Sequence, residues 1–146
     1  MAVPRFMRRF GNAADGEKPF ESHLEPGERL QHVAYGVRMP GCIGSLLLGI
    51  FGGGAIMNAA SHYLVGLTDR RLIVLKIENV GHAVKSVRAW PLDALPPGKV
   101  EKGWLTIDDQ PDPIRAFLHP AAVPDHDDAV PAIAAALSGQ AAHPAT

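Results

Sequence analysis

The side chains best suited to chemistry are seven histidines, fifteen carboxylates and one cysteine. The histidines (His23, His32, His62, His82, His119, His126 and His143) are scattered along the chain. His119 and the run Asp125-His126-Asp127-Asp128 are the nearest approach to a set of cation ligands. Carboxylates at that point have a simpler role, because they precede an apolar stretch of helical period. There they cap orphan amides and meet the positive end of the helix dipole. No His-Glu-x-x-His pair, phosphate-cradling P-loop or Gly-x-Ser-x-Gly elbow occurs, and the glycine-rich stretch Gly49 to Gly54 lacks the Lys-Ser/Thr of a nucleotide loop. His62 and Asp69 remain as an acid–base pair that a fold would have to bring together. Asp69, Arg70 and Arg71 are candidates for an anion site or for a charge pair that stabilises a turn, with Asp69 or Asp93 as the carboxylate. The expectation is a protein that is not an enzyme and needs no metal or cofactor, a small enzyme around His62 and Asp69 being the weakest alternative.

The elements that would position these groups are mostly short strands. Leu24-Glu25-Pro26-Gly27-Glu28 reads as a turn. His32 to Arg38 alternates Val33, Tyr35 and Val37 against smaller or polar residues, which predicts a strand with one buried face. Tyr63–Asp69 and Leu72–Glu78 predict a hairpin turning at Asp69-Arg70, with Thr68 and Asp69 bonding nearby backbone amides. Val84–Trp90 predicts a further strand, closed by Pro91. Val100–Trp104 and Leu105–Ile107 read as one bent strand or two short ones, and Ile114–His119 as the last. Val130, Ile133, Ala134 and Leu137 share one face of a helix near residues 126–138, stopped by Gly139. Residues 1–24 show no periodicity and read as a mobile arm carrying Arg5, Phe6, Arg8, Arg9 and Phe10. No apolar core of a secretory signal follows. Residues 139–146 read as a disordered tail.

A chain of 146 residues, 47% apolar, supplies one domain with one core. Its net charge of −1 argues against general nucleic-acid binding, which needs a large excess of Lys and Arg. A single cysteine, Cys42, excludes an internal disulfide and suits a cytoplasmic chain; lying in an apolar run, it reads as a buried thiol. That run is the oddest feature of the sequence. From Met39 to Ser61 there is no charged residue, and six glycines lie between Gly41 and Gly54 among Ile43, Leu46, Leu47, Leu48, Ile50 and Phe51. Its length meets the ~20 residues of a membrane span. A single crossing, however, would put the strand near residue 35 and the hairpin at 63–78 on opposite sides of a bilayer. The expected role is an interaction surface of Leu46, Leu47, Gly49, Ile50, Phe51 and Gly53, binding further copies of the chain or another partner. The alternative is a hydrophobic hairpin of residues 41–60 entering one leaflet, which would make the protein membrane-associated. Neither a nucleic acid nor a small molecule is implied.

The ordered set Leu24-Glu25-Pro26-Gly27-Glu28, Tyr63-Leu64-Val65-Gly66-Leu67-Thr68-Asp69-Arg70-Arg71-Leu72-Ile73-Val74-Leu75, Trp90-Pro91-Leu92-Asp93-Ala94-Leu95 and Gly103-Trp104-Leu105-Thr106-Ile107 resembles bacterial pleckstrin-homology-like (PH-like) domains. The resemblance covers roughly residues 24–138. It implies an α+β, mainly β, fold: a bent antiparallel sheet or partly open barrel of six or seven strands, capped by a C-terminal helix. It places a domain at residues 25–138, with the apolar glycine-rich insertion at 39–61 between the first two strands. Eukaryotic PH domains that grip phosphoinositides use basic residues in the loop between the first two strands. Here the loop is uncharged, so the resemblance does not extend to an inositol-phosphate site.

Overall fold

The structure, a computed structural model, describes residues 16–38, 61–78, 83–119 and 128–139. Seven strands alternate in direction: β1 Leu30–Arg38, β2 Ser61–Thr68, β3 Arg71–Ile77, β4 Val84–Pro91, β5 Gly98–Glu101, β6 Trp104–Ile107 and β7 Ile114–His119. Among the described residues one α-helix, α1, spans Ala129–Leu137. The strands form a single antiparallel sheet in the order β4-β3-β2-β1-β7-β6-β5, curled into a half-barrel. This layout is compatible with the PH-like fold. Residues 98–107 are two short strands turning at Lys102-Gly103 rather than one bent strand.

β1 is the pivot of the sheet. It pairs along its length with β2, from Leu30↔Thr68 to Arg38↔Ser61, while Tyr35, Gly36 and Val37 also pair with β7. The inner face of the curl buries Ala34, Val65, Leu67, Leu72, Val74, Leu105, Ile107 and Ile114 against α1. Helical spacing puts Ala129, Ile133 and Ala136 into this core, with Val130 and Leu137 half-buried beside them. Val130, Ile133 and Leu137 fall on the predicted face of the helix, but Ala134 does not join the core, and Ala129 and Ala136 take its place. Its start differs from expectation: Asp128 occupies the N-cap but its side chain makes no capping bond. The Asp128 carbonyl instead accepts from the Ala132 amide at 3.1 Å. Gly139, at φ +84°, ends the helix as expected.

Two expectations are corrected on the outer face. β1 does not bury one face alone: Val33 through Val37 are buried without interruption, and so are Leu72 through Leu75 in β3. The outer side chains Val33, Tyr35, Leu64, Ile73, Leu75 and Ile77 form a second core with Phe20. Phe20 belongs to a 3₁₀ helix at Lys18–His23 and is wholly buried, so residues 16–24 are not a mobile arm. Residues 1–15 lie outside the described residues. Sequence periodicity missed Phe20 because its anchor is a space, not a pattern. A Cβ on Gly66 would fall 2.6 Å from Phe20 Cε1, and only glycine leaves room for that ring.

Candidate functional site

Asp69, Arg70 and Arg71 sit where β2 turns into β3, and the turn consumes much of their chemistry. Thr68 Oγ1 accepts hydrogen bonds from the amides of Arg70 (3.0 Å) and Arg71 (2.8 Å) and donates to Glu28 Oε2 at 2.7 Å. Arg71 grips Glu28 with two prongs, Nη2 to Oε1 at 2.6 Å and Nε to Oε2 at 2.9 Å. Its Nη2 also donates to the His23 carbonyl at 2.7 Å, tying down the end of the 3₁₀ helix. Glu28 further accepts from the Glu25 amide at 2.9 Å. The Arg71 hydrogen bonds, helped by the Glu25 amide and Thr68, outweigh burial and hold the Glu28 carboxyl at about 2, below its usual 4.5.

The carboxylate held by arginine is therefore Glu28, and neither Asp69 nor Asp93. Asp69 Oδ1 instead accepts from the Arg29 amide at 2.9 Å, bracing the start of β1 rather than its own turn. Arg70 is exposed, 4.0 Å from Glu25, and donates to the Pro26 carbonyl at 3.4 Å. Glu28 lies 43 residues from Arg71. Its turn is legible in the sequence, but nothing local announces its partner.

His62 and Asp69 do not meet. They stand at opposite ends of β2, about 23 Å apart at ~3.3 Å per residue. His62 is buried on the outer face, its Nδ1 hydrogen-bonded to the Tyr35 hydroxyl and the two rings stacked with centroids 6.0 Å apart. This is a satisfied polar pair within an apolar layer. Among the described residues no three His, Cys, Asp or Glu side chains are grouped to hold a metal. Likewise, among the described residues, no helix is long and apolar enough to cross a membrane. The expected interaction residues Leu46, Leu47, Gly49, Ile50, Phe51 and Gly53 lie outside the described residues, as do Cys42, the arginines of the N-terminal stretch and the Asp125–Asp127 run.

The described flanks of the apolar segment are informative. Arg38, the last residue of β1, pairs with Ser61, the first of β2, so the segment leaves and re-enters the sheet side by side. Around this point the inner face turns polar. Arg38, Ser61, Tyr63, Lys76, Ser86 and Arg88 line a small pocket of about 120 Å³ that also touches Asp112. Strand alternation explains the lining, since these positions continue the inward series of β1 to β4 past the apolar core. Arg88 is the most constrained of the cations. It bonds Asp109 Oδ2 at 2.6 Å, lies 3.8 Å from Asp112 and rests over the Trp90 ring at 5.7 Å. Sequence reading missed this mouth because its six residues come from four strands. Comparison with protein-family models, with curated proteins and with solved structures finds no match to this chain.

Proposed function

We propose that the protein is a non-enzymatic binding or assembly module of the PH-like kind, and that the charge-free segment between β1 and β2 is its contact surface for a second copy of the chain. The pairing of Arg38 with Ser61 carries this reading. Both ends of the segment root at one end of the sheet, which a single membrane crossing would forbid. Burying a few of its Leu, Ile and Phe side chains, at ~1.5–3 kcal/mol each, is ample to drive self-association. The order of the strands and the helix across the open half-barrel support the PH-like assignment. Leu47→Glu or Phe51→Glu would place a charge in a dry contact. Light scattering should then give a smaller particle with an unchanged β-rich circular dichroism spectrum.

One observation favours a second reading, insertion of the segment into a single leaflet. Arg38 and Lys76 line the pocket at its roots, and cations beside an apolar insertion suit the headgroup layer of a membrane. Under this reading the wild type sediments with anionic liposomes and Leu47→Glu does not. A wild type that is monomeric without detergent and ignores liposomes would defeat both readings.

A further inference from the structure

The outward face of β5–β7 is unlike the rest of the sheet. Alternation sends Gly98, Val100, Leu105, Ile107, Ile114 and Ala116 toward the helix, which leaves Lys99, Glu101, Trp104, Thr106, Arg115 and Phe117 pointing outward. Register sets them side by side: Trp104 pairs with Phe117 and with Glu101, and Thr106 with Arg115 and with Lys99. Trp104 is 36% exposed; its indole meets the Phe117 ring edge-on at 5.4 Å, and the Arg115 guanidinium carbon lies over the indole, 5.0 Å from the indole centroid. A shallow cleft of about 400 Å³ opens here, walled by Lys99, Glu101, Lys102, Trp104, Thr106 and Arg115.

Three cations and one carboxylate give this cleft a local positive charge on a chain whose net charge is −1. Lys99 bridges Glu101 at 3.0 Å. Lys102 and Arg115 have no carboxylate partner among the described residues, and the Arg115 guanidinium is held over the indole by a cation–π contact.

The backbone supplies an independent observation. Lys102 has φ +51°, the one non-glycine residue with positive φ among the described residues, and Gly103 follows at +83°. Gly103 is required there, because a Cβ would fall 2.7 Å from Phe117 Cε2. Lys102 is not. A two-residue hairpin turn with both φ positive favours Asn, Asp or Gly at its first position, and a lysine there is strained. Such strain is typical of ligand clamps.

We propose that the outward face of β5–β7 binds a phosphate monoester whose organic group is flat and apolar, with Arg115 and Lys102 holding the phosphoryl oxygens and Trp104 receiving the flat group. A doubly charged oxyanion suits two cations, and the planar Arg fork suits a phosphate edge. The cleft is lined by residues of β5–β7 and their connecting turn.

The test uses the full chain with phenyl phosphate, inorganic phosphate and phosphatidylcholine vesicles with or without phosphatidic acid. The two indole N–H resonances are followed by NMR, since the chain holds two tryptophans. Phenyl phosphate should shift the Trp104 resonance saturably and bind more tightly than inorganic phosphate, and Arg115→Ala should weaken it about tenfold or more. Lys102→Gly is the decisive variant. It should raise the melting temperature by relieving the turn, yet weaken binding several-fold. A Trp104 resonance that responds only to phosphatidic acid vesicles, whose phosphate bears no flat group, would overturn the role given to the indole and with it the proposal. No saturable response to any probe, or a Lys102→Gly variant that binds as well as wild type, would overturn the proposal.

Discussion

Replacing Glu28 with Gln keeps the shape of the side chain and removes its charge. In the folded protein that charge answers two prongs of Arg71, the Thr68 hydroxyl and the Glu25 amide, and the carboxylate is fully shielded from solvent. A carboxyl held at about 2 instead of its usual 4.5 corresponds to about 3 kcal/mol of stability at neutral pH. Leaving the Arg71 guanidinium, itself only 20% exposed, without its anion puts Glu28→Gln in the same range. The sign is set by the lowered value. The contribution is complete above about pH 4.5 and is lost as pH falls toward about 2, with roughly 2 of the ~3 kcal/mol gone by about pH 3. Urea unfolding of wild type and variant at about pH 7 and about pH 3 isolates this group, because every other carboxylate titrates in both proteins. The gap between them should be about 3 kcal/mol at the higher pH and shrink by about 2 at the lower. A gap below about 1 kcal/mol at neutral pH, or one that does not change with pH, would refute the account of this cluster.

Two further perturbations test the two cores separately. Ile133→Ala removes a wholly buried side chain from the helix that plugs the half-barrel and should cost about 2–5 kcal/mol in thermal or urea unfolding; near-neutrality would mean the helix is not docked. Gly66→Ala should drive a methyl into the Phe20 ring, cost about 1–3 kcal/mol, and release the 3₁₀ helix, so that chymotrypsin cuts after Phe20 faster than in wild type.

The sequence alone determined the strands whose side chains alternate or are β-branched, the hairpin at Asp69-Arg70, and the closing helix with its stop at Gly139. It did so because strand and helix periods and turn chemistry are local properties of the chain. Val33 and Tyr35 announced β1, and Ile133 and Leu137 announced the face of α1, without any knowledge of their neighbours. What covers a second face is not local. Phe20 sits in an irregular stretch and is fixed by the absence of a side chain at Gly66, 46 residues away, so only the folded sheet could turn an apparent arm into core. The same holds for charge. Asp69 and Asp93 were the acids the sequence suggested for the arginines, yet the pairing of Leu30 with Thr68 brings Glu28 to Arg71. Trp104, Arg115 and Lys102 carry no local sign of one another, and only the register of β6 against β7 and the tight turn at Lys102-Gly103 bring them to one cleft. Sequence spacing sets which way a side chain points, and strand register, an interaction between distant segments, sets what it meets.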